Sequence, residues 1–333
     1  MPYKINDFAI LKDSDGKSVL VAESVKFTAG GSATVTNTES VLSPTYISDY
    51  FFDFQFGGST SGYTSSASGP SDPAATIDKF PFSADANATD VGDLTSTKKA
   101  GAGASSTTHG YVAGGYDWTA SSATNAIEKF SFSVDGNATD VGDLTVARRD
   151  GGGVMSQTHG YMVTGATSSN VIDKYPFASN ANATDVGNTT TSRSENNSGS
   201  QSLTHGYQAG GISSNVIDKF PFAVDGNATD VGDLVDTNYG KCGQFSDTNG
   251  YATRSTAIEK YPYASDANAV SVGTIAGPSH YRAGQSSTTH GYASGGTPGS
   301  SNEIDKFPFA VEGNVTDVGD LTQGRSQNAG NQV

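Results

Sequence analysis

Residues 77–80 read Ile-Asp-Lys-Phe, and this tetrapeptide sets the period of the whole chain. It returns five times at intervals of 41 to 50 residues, with Glu for Asp in two copies and Tyr for Phe in two. The six copies begin at Ile77, Ile127, Ile172, Ile217, Ile258 and Ile304. A fixed period of this length is typical of repeat proteins, in which each repeat buries its apolar faces against its neighbours.

Two further motifs keep step with the tetrapeptide. A Gly-Tyr pair precedes each copy, as at Gly110, and Thr-Asp-Val-Gly or a close variant follows it, as at Thr139. Because no segment shows an apolar period of 3.6 residues, no helix is expected. Each repeat instead predicts four short strands, which within residues 98–144 lie at 100–106, 109–113, 127–132 and around Thr139.

The third predicted strand is apolar on both faces. Asp78, Phe80 and Phe82 share one face, whereas Ile77 and Lys79 share the other. Such a sheet packs between two other sheets, and a narrow Gly-rich first strand suits a crowded axis. We therefore expect an all-β protein folded as a β-propeller of four-stranded blades. The aromatic residues predicted to play a structural role in the third strands are Phe80, Phe130, Tyr175, Phe220, Tyr261 and Phe307.

The number of blades depends on the two ends of the chain. Residues 48–322 hold six clear repeats, and residues 323–333 begin like a further first strand. Residues 1–47 have weaker strand patterns, at 8–11, 19–27 and 33–37. We therefore favour a single seven-bladed propeller over residues 1–333, in which a degenerate blade from 1–47 is completed by 323–333. The alternative is six blades preceded by a small N-terminal β attachment domain.

The repeat resembles the kelch repeat. The shared features are a double glycine that closes the second strand, as at Gly114-Gly115, an aromatic in the third strand, and a hairpin into the fourth. The Trp of the kelch fourth strand is replaced by Val, as at Val141. The phrases Thr-His-Gly-Tyr, Ile-Asp-Lys-Phe-Pro-Phe and Asn-Ala-Thr-Asp-Val-Gly resemble kelch-like proteins of marine bacteriophages, including cyanophages. This resemblance covers residues 48–333 and implies a closed propeller in a phage protein.

Charge and hydropathy restrict the partners. The chain has 19 basic and 34 acidic residues and a formal net charge of −15, so phosphate backbones would be repelled and nucleic acid is not an expected partner. The first residues lack the apolar stretch of a secretory signal. No segment approaches the length of a membrane span, so membrane insertion is not expected either.

Recurrence argues for structural roles among the candidate chemical residues. His109, His159, His205 and His290 occupy one position in four different repeats, and metal ligands from separate blades would not converge on one ion. We therefore interpret these histidines as structural. Asp85, Asn87 and Asp90 resemble the start of a calcium loop, but Asp, Asn and Gly are also the residues of a hairpin turn, and we favour the turn. No cofactor is expected.

Function is better sought where the repeats differ. The loop containing Tyr116, Asp117 and Trp118 connects the second and third strands, has a sequence found in no other repeat, and holds the only Trp. Loops carry function on rigid scaffolds, and exposed aromatics suit contacts with sugars or proteins. A packed, purely structural Trp118 is the alternative. No catalytic motif for nucleophilic or phosphate chemistry is found in the sequence.

These observations predict a non-enzymatic structural and interaction module of a bacteriophage virion, such as an appendage, fibre or decoration protein. The expected partners are other virion proteins and a host-surface protein or glycan. The chain would be made in the host cytoplasm and would reach the virion without a signal peptide. One alternative is a lectin-like propeller. Another is a polysaccharide-degrading enzyme, which would need a carboxylate pair in a single cleft.

Overall fold

Strands are the regular elements of the described part of the chain, and no helix occurs there. The computed structural model describes residues 56–66, 75–166, 169–195, 198–237, 239–254, 257–275 and 280–333, together with the strand backbones at 9–12, 18–22, 24–28 and 32–36. The chain divides into two compact units, residues 1–54 and residues 55–333. The all-β prediction is confirmed.

The second unit contains six four-stranded antiparallel sheets, which we number in chain order from 1 to 6. Sheet 2 shows the common pattern, and its strands match the four predicted within residues 98–144. From the inner to the outer strand, sheet 1 comprises Ala329–Gln332, Ser61–Ser65, Thr76–Pro81 and Thr89–Asp93; sheet 2 comprises Ala102–Ser105, His109–Ala113, Ala126–Ser131 and Thr139–Asp143; sheet 3 comprises Gly152–Met155, His159–Gly165, Ser169–Pro176 and Thr184–Asn188; sheet 4 comprises Ser198–Gln201, His205–Gly211, Ser214–Pro221 and Thr229–Asp233; sheet 5 comprises Cys242–Phe245, Asn249–Arg254, Ala257–Pro262 and Val270–Gly273; and sheet 6 comprises Ala283–Ser286, His290–Ser294, Glu303–Pro308 and Thr316–Asp320.

The C-terminal strand completes sheet 1. Ala329–Gln332 pairs antiparallel with Ser61–Ser65, so the end of the chain supplies the inner strand of the first clear repeat. The sequence predicts that 323–333 completes a seventh blade begun by residues 1–47, and this pairing corrects that prediction.

The N-terminal unit holds two separate hairpins. One pairs Ala9–Lys12 with Ser18–Ala22, and the other pairs Ser24–Thr28 with Ser32–Thr36. The single strand predicted over 19–27 is therefore divided between two hairpins. None of these four strands joins a four-stranded sheet in the described part of the chain. This arrangement agrees with the alternative of six sheets and a small N-terminal β segment.

The six inner strands contact one another in a circular order. Each inner strand touches that of the next sheet, and the inner strand of sheet 6 touches that of sheet 1, the C-terminal strand. A glycine occupies the second position of every inner strand, and a Cβ there would overlap the backbone carbonyl of the neighbouring glycine. These glycines are Gly103, Gly153, Gly199, Gly243, Gly284 and Gly330. Only glycine lets six backbones approach so closely, and the architecture is β-propeller-like.

The recurring aromatic residues build the contacts within and between sheets. In sheet 2, Phe130 lies opposite Gly110, whose missing side chain leaves room for the ring. Tyr63 of sheet 1 stacks on Phe132 of sheet 2 with ring centroids 4.9 Å apart. The same stack recurs at the other five junctions, at 4.6 to 5.2 Å, including Tyr292 of sheet 6 on Phe82 of sheet 1. The Gly-Tyr and Ile-Asp-Lys-Phe motifs therefore keep step because they pack on one another.

Alternate sheets share details that their neighbours lack. Sheets 2, 4 and 6 carry the double glycine, at 114–115, 210–211 and 295–296. Their outer hairpins read Val-Asp-Gly or Val-Glu-Gly, with Val134, Val224 and Val311 67–70% exposed, whereas sheets 1, 3 and 5 have Ala or Ser at these positions.

Candidate binding face

Six buried ion pairs account for the acidic residue of each Ile-Asp-Lys or Ile-Glu-Lys motif. We call this set the belt. In sheet 3, Arg148 donates to Asp173 at 2.7 Å, and both side chains are fully buried. The other belt pairs are Lys98 with Glu128, Arg193 with Asp218, Lys241 with Glu259, Arg282 with Asp305 and Arg325 with Asp78. The recurring acids are therefore committed to contacts inside the fold.

The two partners of each belt pair vary together. The longer acid Glu always faces Lys, as in Lys98–Glu128, and the shorter acid Asp always faces Arg, as in Arg148–Asp173. The combined reach of the two side chains is thus kept nearly constant across a fixed gap. The carboxylates also join neighbouring sheets, since Thr145, which follows the outer strand of sheet 2, donates its N–H and hydroxyl to Asp173 of sheet 3.

The lysine of the same motif lies at the outside of the junctions. In sheet 6, Lys306 donates to Asp85 of sheet 1 at 2.5 Å, and five equivalent contacts of 2.5 to 3.4 Å join the other sheets. Asn87 Oδ1 accepts the backbone N–H of Asp320 at 3.1 Å, and Asp90 Oδ1 accepts that of Gly92. The three residues weighed as calcium ligands therefore contact donors from the protein. In the described part of the chain, no group of three or more His, Cys, Asp or Glu side chains could hold a metal ion.

The four recurring histidines make the same local contact. In each, Nδ1 lies 2.8 Å from the hydroxyl of the preceding Thr, as for His109 and Thr108. In sheet 5, Asn249 takes the position and donates its amide to Thr248 at 2.8 Å. Burial, followed by a nearby lysine, lowers the pKa of each of the four histidines. These contacts support the structural interpretation.

The unique loop of sheet 2 forms an exposed aromatic and cationic cluster. Tyr116 and Asp117 pair with Lys98–Lys99 on one side and Ser122–Ala123 on the other, in a small three-stranded sheet. Trp118 is 37% exposed, and its ring lies edge-on to Tyr116 at 5.3 Å. Lys99 Nζ lies 4.7 Å from the centre of the Trp118 ring, a cation–π contact.

Asp117 holds the tip of this loop in place. Its Oδ1 accepts the backbone N–H groups of Thr119 and Ala120 at 2.7 and 2.9 Å. Partial burial raises the pKa of Asp117, but hydrogen bonds from Ala120, Ser96 and Thr119 outweigh it and the pKa is lowered. Asp117 thus presents Trp118 by capping the turn. The structure brings the three predicted binding residues together in one loop.

The sequence did not single out Lys99 and Arg149 as members of this cluster. The Arg149 guanidinium lies 5.0 Å from the Tyr116 ring, and its Nε donates to Asp150 at 3.1 Å. Burial, together with the neighbouring Arg149, lowers the pKa of Lys99, and Asp150 opposes this change. The available signal was the pair of basic dipeptides, Lys98-Lys99 and Arg148-Arg149, each shortly before an inner strand. In each dipeptide, the first residue belongs to the belt and the second to the exposed cluster.

Six residues surround the mouth of the axis at the same end of the molecule, and we call them the collar. They precede the inner strands, all have φ between +57° and +74°, and backbone hydrogen bonds link five of the six neighbouring pairs. The collar comprises Ala100, Asp150, Glu195, Gly240, Tyr281 and Gln327. Beneath it lies a cavity of about 70 Å³, lined largely by the inner-strand glycines.

Comparison with known proteins gives no family assignment. No family model matches the chain, and no curated protein matches it. The described residues also contain no helix with the length and apolar character needed to cross a membrane. The proposed function therefore rests on the geometry of this face.

Proposed function

We propose that the chain is a non-enzymatic interaction module of a bacteriophage virion, built on a closed, six-bladed, kelch-like propeller. The circular contacts of the inner strands and the C-terminal strand in sheet 1 support the closed form. The phage assignment is supported by the resemblance of the repeat motifs to kelch-like proteins of marine bacteriophages. In this proposal, the N-terminal segment attaches the propeller to other virion proteins.

One observation carries the assignment of an interaction surface. The recurring acids, lysines and asparagines contact neighbouring sheets, whereas Tyr116, Trp118 and Lys99 form a cluster in one sheet that leaves Trp118 exposed. An aromatic side chain held in a fixed orientation loses little entropy when it binds a partner. The loop of sheet 2 is therefore the part of the face that would contact another virion protein or the host surface.

The virion assignment is tested on purified particles. We expect mass spectrometry to detect the chain in particles banded by density, and immunogold labelling to place it on their surface. Particles that lack the chain, while lysates of the same infection contain it, would contradict the proposal. A parallel assay would compare attachment of the wild-type protein and Trp118→Ala to host cells.

A second candidate is a carbohydrate-binding propeller. The specific observation in its favour is that Trp118 and Tyr239, both 37% exposed, offer aromatic surface of the kind that packs on sugar rings. Binding of the purified protein to a glycan array, lost in Trp118→Ala, would favour this function.

A further inference from the structure

The collar carries side chains that its backbone does not require. Ala100 and Gly240 occupy two of the six positions, so the left-handed turn forms without a long or charged side chain. Asp150, Glu195 and Tyr281 nevertheless occupy three of the others, at φ values of 59°, 74° and 59° that cost free energy for a non-glycine residue. These side chains are therefore candidates for a role beyond folding.

Asp150 is a buried carboxylate with one oxygen left over. The residue is 7% exposed, and its Oδ2 accepts the Arg149 Nε at 3.1 Å. Its Oδ1 is buried and has no hydrogen-bond partner. A buried acceptor without a donor leaves its desolvation cost unrecovered. A turn of the carboxylate that exposes Oδ1 to an O–H or N–H group of a ligand would recover that cost.

Next to Asp150 around the collar, Glu195 extends the acceptor surface. The Tyr281 hydroxyl donates to Glu195 Oε2 at 2.7 Å, so the tyrosine reaches past Gly240, which has no side chain to obstruct it. Glu195 lies close enough to Asp150 to oppose ionisation of that carboxyl, whose pKa is raised mainly by burial. Two carboxylates, of which that of Asp150 is mostly buried, and a phenol thus lie around the mouth of the axis.

Aromatic side chains extend the site in both directions. On one side, the Tyr239 ring lies 6.0 Å from that of Tyr281 and is 37% exposed. The Arg254 guanidinium lies 5.1 Å from the Tyr239 ring. On the other side, Arg149 connects Asp150 to Tyr116, whose ring contacts Trp118. One series of contacts therefore runs from Trp118 to Asp150 and another from Glu195 to Tyr239, and the two meet where Glu195 lies next to Asp150 in the collar.

We propose that this series of side chains is an oligosaccharide site, in which Asp150 and Glu195 accept sugar hydroxyls while Trp118 and Tyr239 pack against sugar rings. The proposal rests on the proposed binding role of this face and names its ligand class. A neutral sugar chain supplies both the O–H donors that Asp150 lacks and the C–H surfaces that exposed aromatics pack against.

Other ligand classes fit the same residues less well. The net charge of −15 disfavours an acidic polymer, while Lys99, Arg149 and Arg254 offset the charge of the two carboxylates locally. A metal ion would make no use of Trp118 and Tyr239 at the two ends. In the described residues, the collar acids also belong to no group of three or more metal-ligating side chains.

The chain contains its own spectroscopic probe, since Trp118 is its only tryptophan. The purified full-length protein would be titrated with maltohexaose, cellohexaose and chitohexaose, and with an alginate hexasaccharide as the acidic comparison. Trp118 emission and isothermal calorimetry would be recorded together. We expect at least one neutral hexasaccharide to bind, to change the Trp118 emission, and to bind more tightly than the alginate fragment.

Two variants and two controls test the site. Asp150→Asn keeps the shape but replaces one acceptor oxygen by a donor, and it should weaken binding about tenfold or more. Tyr239→Ala changes an exposed side chain and so tests the site even if Asp150→Asn folds poorly. Val134→Ala and Val224→Ala, which change exposed side chains at the opposite end of the molecule, should bind as the wild type does.

The results separate this inference from the proposed function. No binding to any neutral probe, preference for the alginate fragment, or binding that is unchanged in both Asp150→Asn and Tyr239→Ala would overturn the sugar site. Such a result would not affect the virion assignment, which mass spectrometry and immunogold labelling of purified particles test. Conversely, sugar binding by a protein that is absent from virions would retain the site and reject the phage role.

Discussion

The belt and the collar are two rings of side chains from the same loops, but they obey opposite rules. Arg148 belongs to the belt and Asp150 to the collar, two residues later. Every belt position is a base paired with a buried acid, whereas the collar positions hold Ala, Asp, Glu, Gly, Tyr and Gln. The difference follows from what holds each ring: a belt charge needs its partner because an unpaired buried charge is costly, whereas the collar is joined by backbone hydrogen bonds, which do not depend on the side chain. A varied ring on a uniform scaffold is where a specific ligand would be recognised.

The strongest test of this comparison removes one charge from the belt. Arg148→Met should leave Asp173 buried without its partner and lower the free energy of unfolding by about 3–5 kcal/mol. Urea denaturation followed by circular dichroism measures the loss. The double variant Arg148→Met/Asp173→Leu should recover much of the stability, because it also removes the unpaired charge. A single variant as stable as the wild type would contradict the buried pair.

A smaller effect should follow from changing the reach of a belt pair. Glu128→Asp opposite Lys98 shortens the acid and should lower the free energy of unfolding by about 1–3 kcal/mol. Adding Lys98→Arg recreates the combination found in sheets 1, 3, 4 and 6, and should restore most of the loss. Double-mutant-cycle analysis of urea midpoints gives the coupling. Additive effects would show that the covariation of the pairs has no energetic basis.

The histidines should give a modest dependence of stability on pH. Their pKa values are lowered in the folded state, so the unfolded chain binds more protons as the pH falls through the ordinary histidine range. Stability should therefore be fully present above pH about 6.5 and decline below it. We would replace His109, His159, His205 and His290 by Asn, the residue found at position 249. The urea midpoint of this variant should change less between pH 7 and pH 5 than that of the wild type. If the urea midpoint of the variant changes with pH as much as that of the wild type, groups other than these histidines cause the pH dependence.

The smallest effect on stability is expected at the exposed cluster. Trp118→Ala should change the free energy of unfolding by less than about 1 kcal/mol, since the side chain is partly exposed and lies in a surface loop. Tyr175→Ala, which removes a buried aromatic of sheet 3, serves as the contrast and should cost about 3–5 kcal/mol. Comparable losses in the two variants would assign Trp118 to the core and favour the packed interpretation.

The sequence predicted the repeat much better than it predicted the ends of the chain. The strands of sheet 2 were found at the predicted positions because each has its own local signal in Gly, β-branched and turn residues. No local signal of this kind identifies Ser61–Ser65 as the partner of Ala329–Gln332, because the inner strand of any repeat could pair with it equally well. The pairing is decided by which sheet lacks an inner strand when the six inner strands contact one another in circular order.

For the candidate site, the sequence located the loop of Tyr116, Asp117 and Trp118 because it departs from the repeat. It did not identify Asp150, Glu195, Tyr239 or Tyr281. These residues lie in loops that lead into four different sheets, and no spacing along the chain relates Glu195 to Tyr281, whose side chains are hydrogen-bonded. Each collar residue shortly precedes an inner strand, and this shared position is the one sequence feature that could have placed them around one axis.

The sequence by itself determined the four-stranded unit, its six clear copies and the pairing of glycine with aromatic residues, because those features depend on short-range sterics and on the alternation of strand faces. Tertiary structure decided which strand completes sheet 1, which acids are buried in the belt, and which unrelated side chains meet at the mouth of the axis. The physical reason is that these outcomes depend on contacts between residues tens to hundreds of positions apart, whose geometry is fixed only when the sheets pack together.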